Sequence, residues 1–250
     1  MVSPDSQSSA AYVVFGGTGG IGSSLCRRLV SRGARLLVAA RNEDKLRTLA
    51  QGLNVSWRSI EATRWADVDT CIKRAAELFG RLDGVANCIG SLLLKPAHST
   101  SESEWQATIA TNLTTSFAVV RASARAMTGA GGSVVLVSSA AARVGLANHE
   151  AIAAAKAGVI GLTLSAAATY ASRGIRVNCV APGLVRTPMT AGLTTNETVL
   201  KASSAMHALR RIGEPEDVAA AIDWLLSPEQ SWVTGQVLGV DGGLAAVRPR

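Results

Sequence analysis

Aromatic residues and charges of either sign are scarce in this sequence. Phe, Trp and Tyr make up 4% of the 250 residues, and the only tyrosines are Tyr12 and Tyr170. Lys and Arg outnumber Asp and Glu by 25 to 18, which gives a net charge of +7, but no run of five or six like charges occurs. A diffuse positive charge without a basic, aromatic-rich motif argues against nucleic-acid binding and suits an anionic small molecule.

The sequence also lacks closely spaced cysteines, a secretion signal and a long uninterrupted apolar run. Its four cysteines, Cys26, Cys71, Cys88 and Cys179, form no CxxC pair. We therefore expect reduced, mostly buried thiols in a cytoplasmic protein, and neither a disulfide framework nor a metal site. Residues 1–10 have no basic or apolar stretch and are interpreted as a flexible polar tail. Gly, Thr, Ser or a charge interrupts each apolar window before 18 residues, so no membrane span is expected.

Short apolar runs alternate with longer helical stretches almost to the end of the chain. Hydrophobic residues make up 48% of the sequence, which is enough for a large core. The pattern predicts a single doubly wound α/β domain of the Rossmann class over residues 11–250, with a seven-stranded parallel sheet and helices on both faces. The strand-like runs are "AYVVFG", "ARLLVAA", "LNVSWRSI", "LDGVANCIG", "GSVVLVSS", "IRVNCVAPG" and "GQVLGVDGG".

Helical periodicity separates these runs, and one long insertion interrupts the alternation. The insertion, residues 183–215, adds about thirty residues before the last helix. Insertions of this length at such a place are typical of lids, so we predict a substrate cover here. The predicted helices cover residues 20–32, 42–51, 66–79, 102–127, 148–172 and 214–226.

A glycine cluster, "FGGTGGIGSSL", follows the first predicted strand and opens the first helix. Glycines let the backbone approach a pyrophosphate closely, and the free N–H groups of the helix start favour its negative charge. The alternative is a tight turn without a ligand. The position in a βαβ unit favours a dinucleotide. The predicted binding residues are Gly16, Thr18, Gly19, Gly20, Ile21 and Gly22.

This turn resembles the TGxxxGxG loop of the short-chain dehydrogenase/reductase family, although Phe15 stands where that family usually has Thr. Further motifs match in order: "ANCIG" resembles the NNAG element, "TNL" the helix asparagine, "VSSAA" the catalytic serine, "RVNCVAPGLVRTP" the segment over the nicotinamide and "GQVLGVDGG" the last strand. The resemblance covers nearly the whole chain. The cofactor-binding residues that it implies, beyond the turn, are Asn87, Gly90, Lys156, Pro182, Gly183, Val185 and Thr187.

The end of the second strand indicates which nucleotide is bound. Acids that accept hydrogen bonds from the ribose of NAD are absent there, because the strand ends in Ala39 and Ala40 and is followed by Arg41. The resemblance implies NADP(H), with Arg41 on the 2′-phosphate, unless Arg41 is a solvated helix start. Glu61 stands where the family usually has an Asp contacting the adenine amine.

The resemblance implies three catalytic residues, and a fourth residue of the family's catalytic set is missing here. Ser139 corresponds to the serine that polarises the carbonyl, Asn112 to the asparagine that organises a water relay, and Lys156 to the lysine of the YxxxK motif. The tyrosine that donates the proton is missing, because Ile152 occupies its position. Lys156 can alternatively serve the cofactor ribose alone, and Ser139 can be an ordinary strand-end hydroxyl.

His149 is the nearest residue that can replace the tyrosine. On a helix it shares one face with Ile152 and Lys156, and if Asn148 is the N-cap it lies in the first turn, where the helix dipole disfavours its protonated form. A neutral imidazole can still relay a proton. The simpler alternative is a polar residue at the mouth of the site or at a subunit contact. Glu150 could fill a similar role but is more simply explained as an acid favoured in the first turn.

Two main functions and one variant remain open from the sequence. The first is an NADP(H)-dependent oxidoreductase acting on a small, apolar carbonyl or alcohol, with proton delivery through His149, Lys156 or water. The second is a nucleotide-binding protein without redox activity, acting as a sensor, scaffold or inactive partner. A third is enoyl reduction on the same scaffold. The resemblance also implies a homo-oligomer, tetramer or dimer, built through the long helices and the last strand.

Overall fold

The computed structural model describes residues 9–248, and it contains one seven-stranded parallel sheet. The predicted fold class is confirmed. The order across the sheet is β3-β2-β1-β4-β5-β6-β7. The strands are β1 (Ala11–Phe15), β2 (Arg35–Ala40), β3 (Ser56–Ser59), β4 (Gly84–Asn87), β5 (Gly132–Val137), β6 (Ile175–Pro182) and β7 (Val237–Val240). The predicted tail, residues 1–10, lies outside the described residues except for Ser9 and Ala10.

The strand order reverses between β1 and β4, and this reversal places the site. The chain runs from β1 to β2 and β3 on one side of β1 and then crosses to β4 on the other side, so a crevice opens at the carboxyl ends of β1 and β4. The centre of the sheet is apolar on both faces because β1, with the sequence AYVVF, is buried at every residue. Such continuous apolar strands are typical of parallel sheets covered on both sides.

Helices cover both faces of the sheet and define two apolar cores. One core packs α3, α5 and α6 against the sheet, and the other packs α1, α2 and α9 against the opposite face. The helices are α1 (Gly20–Ser31), α2 (Glu43–Leu53), α3 (Trp65–Phe79), α4 (Glu102–Ile109), α5 (Thr115–Ala126), α6 (Glu150–Tyr170), α7 (Ala191–Thr194), α8 (Glu197–Met206) and α9 (Pro215–Leu226).

The helix predicted over residues 102–127 is interrupted, which corrects the expectation of one continuous helix. A π-helical segment, Ala110–Thr114, separates α4 from α5. Within it the Asn112 side chain turns inward, donating from Nδ2 to the Thr108 carbonyl and to Ser91 Oγ, both at 2.9 Å. Single π-turns inside helices are frequent at functional sites, and this one brings a polar side chain behind the crevice.

The insertion over residues 183–215 contains α7 and α8 and closes on itself at its base. The Gly213 N–H donates to the Leu184 carbonyl at 2.8 Å, and the Arg186 N–H donates to the Gly213 carbonyl at 2.9 Å. The two ends of the segment are therefore joined backbone to backbone. Residues 187–190 of the segment line the crevice, and its role as a substrate cover stays a prediction.

One stretch meets the length and hydropathy expected of a membrane span. Residues Glu150–Arg173, α6 with the turn that follows it, are long and apolar enough, and the sequence analysis missed this window because small polar residues and glycines interrupt it. Length and composition are weak criteria, since core helices also meet them. Here α6 packs along β6 and against the π-helical segment, and part of it contributes to the core.

Candidate active site

A crevice with a cavity of about 420 Å³ runs across the carboxyl ends of the strands. It begins at the glycine-rich turn after β1, passes the ends of β4 and β5, and ends beneath the insertion. Most of the residues predicted for the site line it. They are Gly16, Thr18, Gly19, Gly20, Ile21, Gly22, Arg41, Glu61, Gly90, Ser139, Lys156, Pro182, Gly183, Val185 and Thr187, together with Ile152. Asn87, Asn112 and His149 do not line it.

The glycine-rich turn packs so closely against neighbouring backbone that Gly16 and Gly22 have no room for a side chain. Gly16 adopts φ +71°, and a Cβ there would lie 2.8 Å from the backbone of Cys88. A Cβ on Gly22 would lie 2.3 Å from the Gly16 carbonyl oxygen. The helix α1 begins after Gly19 with no side-chain cap and no acid in its first turn. Its N–H groups therefore remain available to an anion such as a pyrophosphate, so the turn fits a dinucleotide.

Basic side chains line the same end of the crevice as the glycine-rich turn, after β2. Arg41 is 78% exposed in its side chain, and its Nη1 lies 4.0 Å from Glu61 Oε2. Glu61 Oε1 accepts hydrogen bonds from the N–H and the hydroxyl of Thr63, at 3.2 and 2.9 Å. Lys45, one helical turn beyond Arg41, also lines the crevice and was missed by the sequence analysis. Arg41 and Lys45 make this end of the crevice cationic, and β2 ends in Ala40 and not in an acid. Both features suit the binding of a phosphate.

Lys156 reaches the crevice from α6 with its ammonium group almost fully buried. The residue is 6% exposed, and Nζ donates to the Val137 carbonyl at 2.8 Å. Burial lowers the pKa of this lysine to about 8, because desolvation disfavours the charged form. A lysine with a pKa near neutrality can give up a proton at physiological pH more readily than an exposed one.

Ser139 follows β5 and presents a hydroxyl to the crevice. Its Oγ accepts a hydrogen bond from the Ala141 N–H at 3.1 Å, which fixes the side chain across a short turn. Because the oxygen acts as the acceptor in that bond, its own proton remains for donation into the crevice. The arrangement suits a hydroxyl that polarises a substrate oxygen.

Ile152 lines the crevice beside Lys156, in the first turns of α6, and is 3% exposed. The expectation that Asn148 caps this helix is wrong. Asn148 is in the left-handed region at φ +64°, His149 is the N-cap, and its Nδ1 lies 2.7 Å from the Ala147 carbonyl oxygen. His149 is thus tied to the loop before α6, one turn from Ile152, and is not part of the crevice wall.

The two predicted asparagines support the wall from behind. Asn112 Oδ1 accepts from the Ser91 N–H at 3.1 Å, and a Cβ on Gly90 would lie 3.3 Å from this oxygen and 3.6 Å from Lys156 Nζ. Asn87 Nδ2 donates to the Ser116 hydroxyl at 3.1 Å. Both side chains are buried and hold the segment after β4 in place.

Several further lining residues had no sequence signal that distinguished them. Thr111 lies in the π-helical segment, which no local pattern predicts, and Thr115 directly follows it, whereas Ser91 comes from the segment after β4. Met189 enters from the insertion, and Cys88 from the segment after β4, where burial raises the pKa of its thiol to about 12. Lys45 could have been found, because it follows Arg41 by four residues at the start of a predicted helix.

Comparison with known proteins gives consistent matches over nearly the whole chain. The model of a family described as enoyl-(acyl carrier protein) reductase matches residues 16–245. The cis-4-hydroxycyclohexanecarboxylate dehydrogenase of Sinomonas cyclohexanicum is 41% identical over 241 residues, which cover 94% of this chain and 96% of that protein.

Solved structures match at a similar level. A short-chain type dehydrogenase/reductase from Mycobacterium ulcerans superposes with a TM-score of 0.92 at 33% identity, covering 96% of this chain and 91% of that one. A variant of the actinorhodin polyketide ketoreductase, solved with NADPH, superposes with a TM-score of 0.90 at 29% identity, covering 97% of this chain and 99% of that one.

Proposed function

Because the chain belongs to the short-chain dehydrogenase/reductase family, we propose that it is an NADP(H)-dependent oxidoreductase that interconverts a carbonyl and an alcohol on a small, mostly apolar substrate. The observation that carries the proposal is the continuity of the crevice. One cavity joins the anion-binding turn and Arg41 at one end to Ser139 and Lys156 at the other. A protein that only bound the nucleotide would not need the second end.

The preference for NADP(H) rests on the charges after β2. Arg41 and Lys45 line the crevice there, and the strand itself ends in Ala40. A guanidinium pairs well with a phosphate, whereas the ribose hydroxyls of NAD are usually met by a carboxylate. The NADPH-bound ketoreductase structure, a neighbour in fold, supports the same choice.

The chemistry divides between the cofactor and three side chains of this protein. Bound NADPH supplies the reducing equivalent. Ser139 donates its hydroxyl proton as a hydrogen bond to the substrate oxygen, and Asn112 keeps the segment around Gly90 in register behind it. We assign the proton that the oxygen finally takes up to the ammonium of Lys156, directly or through one water, because His149 is held away from the crevice by Ala147. Lys156 is then re-protonated from solvent.

NADPH consumption against a panel of carbonyl compounds tests this proposal. The panel should include ketones, aldehydes, quinones and 4-oxocyclohexanecarboxylate, because a 41% identical relative is a hydroxycyclohexanecarboxylate dehydrogenase. We expect turnover with at least one alicyclic or aliphatic ketone and loss of turnover in Lys156→Met and Ser139→Ala. Binding of NADPH without turnover of any alcohol or carbonyl would contradict it.

Ile152 favours one alternative, a nucleotide-binding protein without redox activity. A hydrocarbon stands at the position from which the family's tyrosine donates its proton, and it faces the same crevice. Assays of NADPH consumption by wild type and by Ile152→Tyr, run side by side, distinguish the two functions. Activity only in Ile152→Tyr would establish the binding function, whereas activity in both supports the enzyme. A substrate with a conjugated double bond, reduced at carbon, would point instead to enoyl reduction.

We also propose a cytoplasmic homo-oligomer, with α5 and α6 at the subunit contact. Phe117 on α5 and Leu164 on α6 are exposed apolar residues on neighbouring helices. Apolar side chains on an exposed helix face are typical of a surface that another subunit covers. Light scattering after size exclusion measures the assembly, and Leu164→Glu should reduce it. A monomeric wild type would contradict this proposal.

A further inference from the structure

We propose that His207, as a neutral imidazole protonated at Nδ1, is a positioning residue that fixes the loop after β6 for the cofactor. The effect of His207 on cofactor binding rests on the proposed function, whereas the hydrogen bonds of its ring do not. His207 ends α8 as its C-cap residue, and it is 1% exposed. It belongs to the insertion, where neither motif nor composition identified it.

Both ring nitrogens of His207 have partners, and the partners determine where its proton lies. Nδ1 is 2.6 Å from the Ser203 carbonyl oxygen, which can only accept, so Nδ1 carries the hydrogen. Nε2 is 3.3 Å from the Leu184 backbone nitrogen, whose N–H donates, so Nε2 is the unprotonated acceptor. Only one of the three protonation states of the ring satisfies both contacts.

The imidazole ring of His207 lies between the segments that follow β6 and β7, at the carboxyl end of the sheet. A Cβ on Gly183 would lie 2.5 Å from Nε2, so only glycine leaves room for the imidazole there. On the other side, a Cβ on Gly242 would lie 3.5 Å from the Cβ of His207, and the Leu209 N–H donates to the Gly242 carbonyl at 3.0 Å. The imidazole therefore joins α8 to the segments that follow β6 and β7.

Leu184 transmits this contact to the crevice. It stands between Gly183 and Val185, which both line the cavity. Its N–H is held by His207, and its carbonyl accepts from the Gly213 N–H at 2.8 Å. One peptide on each side of Leu184 is thus fixed, and the lining segment is set before a ligand enters. Preorganised segments cost less ordering free energy on binding than free ones.

The protonation state of the ring can be read without nucleotide or substrate. The sequence has three histidines, so long-range ¹H–¹⁵N spectra of the free protein can resolve each ring. We expect His207 as the Nδ1–H form, identified by loss of its signal in His207→Gln. An Nε2–H form or an imidazolium at neutral pH would overturn the proposal, whatever the enzyme assay shows.

The effect on the cofactor is tested with three variants. His207→Leu leaves the buried Leu184 N–H without an acceptor, and we expect roughly tenfold weaker NADPH binding by fluorescence titration and faster proteolysis within residues 188–206. His207→Gln keeps an acceptor near Nε2 and should recover most of the loss. His98→Leu is the matched control, because it replaces an exposed histidine outside the insertion. This variant should bind NADPH as tightly as wild type.

Two outcomes separate a failure of the proposed role of His207 from a failure of the proposed function. If wild type fails to bind NADPH, the proposed function is wrong, while the ring form and the proteolysis pattern still test His207. If wild type binds and a folded His207→Leu, judged by its circular dichroism and melting temperature, binds equally well, the positioning role is wrong.

Discussion

The two ends of the crevice are built by different means. At the nucleotide end the fit comes from backbone, since Gly16 and Gly22 pack too closely against other backbone to carry a side chain and α1 offers uncapped N–H groups. At the other end the fit depends on individual side chains, and one of them, Ile152, has no hydrogen-bonding group. A binding site made of backbone tolerates little change in shape, whereas a catalytic site made of side chains can lose its chemistry in one substitution and keep its fold. The predictions below test this contrast.

The largest effect is expected from adding a phenolic hydroxyl at position 152. Ile152→Tyr places a phenol one helical turn from Lys156, and we expect kcat for ketone reduction to rise by roughly 10²-fold or more, the usual contribution of a positioned general acid. The dissociation constant for NADPH should change little, because Ile152 lies at the catalytic end.

Ile152→Phe is the matched control for this gain. It adds the ring without the hydroxyl and should leave kcat close to that of wild type. A gain in Ile152→Phe equal to that in Ile152→Tyr would mean that shape and not proton donation limits the wild-type enzyme.

A methyl group in the glycine-rich turn should affect binding and not chemistry. Gly22→Ala brings a Cβ to 2.3 Å from the Gly16 carbonyl oxygen, so the turn or α1 must shift. We expect NADPH affinity to fall by about 30-fold to 100-fold, about 2 to 3 kcal/mol, measured by calorimetry.

The control for this change is Gly52→Ala, on α2. A Cβ there meets no atom within 4 Å, and alanine is the better helix former, so the free energy of unfolding should rise by about 0.5 to 1 kcal/mol. Unchanged NADPH affinity in Gly22→Ala would show that the turn does not hold the pyrophosphate.

Arg41 should set the choice between the two nucleotides. Arg41→Ala removes a charge-assisted partner of the 2′-phosphate, and we expect NADPH affinity to fall roughly tenfold with NADH affinity unchanged. Titrations with both nucleotides measure the difference. Arg47→Ala, an exposed arginine on α2 that pairs with Glu43 at 2.9 Å, controls for net charge. Equal affinities of wild type for NADPH and NADH would contradict the assignment.

The sequence was sufficient for the parts of the molecule that depend on local pattern. The seven strands follow from apolar runs such as AYVVF, and the turn at Gly16 follows from its place between a strand and a helix. What it could not supply depends on contacts between distant residues. The π-helical segment contains Asn112, whose side chain bonds to Ser91, 21 residues earlier, and the ring of His207 bonds to Leu184, 23 residues away.

The predicted start of α6 differs from the observed start by one residue. Asn148 is a good N-cap by type, but it adopts φ +64°, a conformation that asparagine tolerates better than most residues. The turn it makes shifts the helix start by one residue and ties His149 to Ala147. Because His149 does not line the crevice, we assign the proton to Lys156 among the sources that the sequence left open, which were His149, Lys156 and water.

The smallest expected effect near neutral pH is the dependence of turnover on the protonation of Lys156. The ammonium is the form that donates, and burial lowers its pKa to about 8, so reduction should be independent of pH below that value. Above it, kcat/KM should fall by about tenfold for each pH unit. A profile that stays flat to pH 10 would exclude Lys156 as the donor.

The same group makes a prediction for stability that does not depend on turnover. In the unfolded chain the lysine has its ordinary pKa of 10.5, so between pH 8 and 10.5 the unfolded state binds more protons than the folded state. The free energy of unfolding contributed by this residue therefore rises with pH across that window, because the penalty for burying the charge disappears as the amine loses its proton. Urea melts of the free protein at a series of pH values measure this slope, and Lys156→Met should remove it. If wild type and variant show the same slope, folding does not lower the pKa of Lys156 from its ordinary value, and the fall in kcat/KM above pH 8 should then be absent as well.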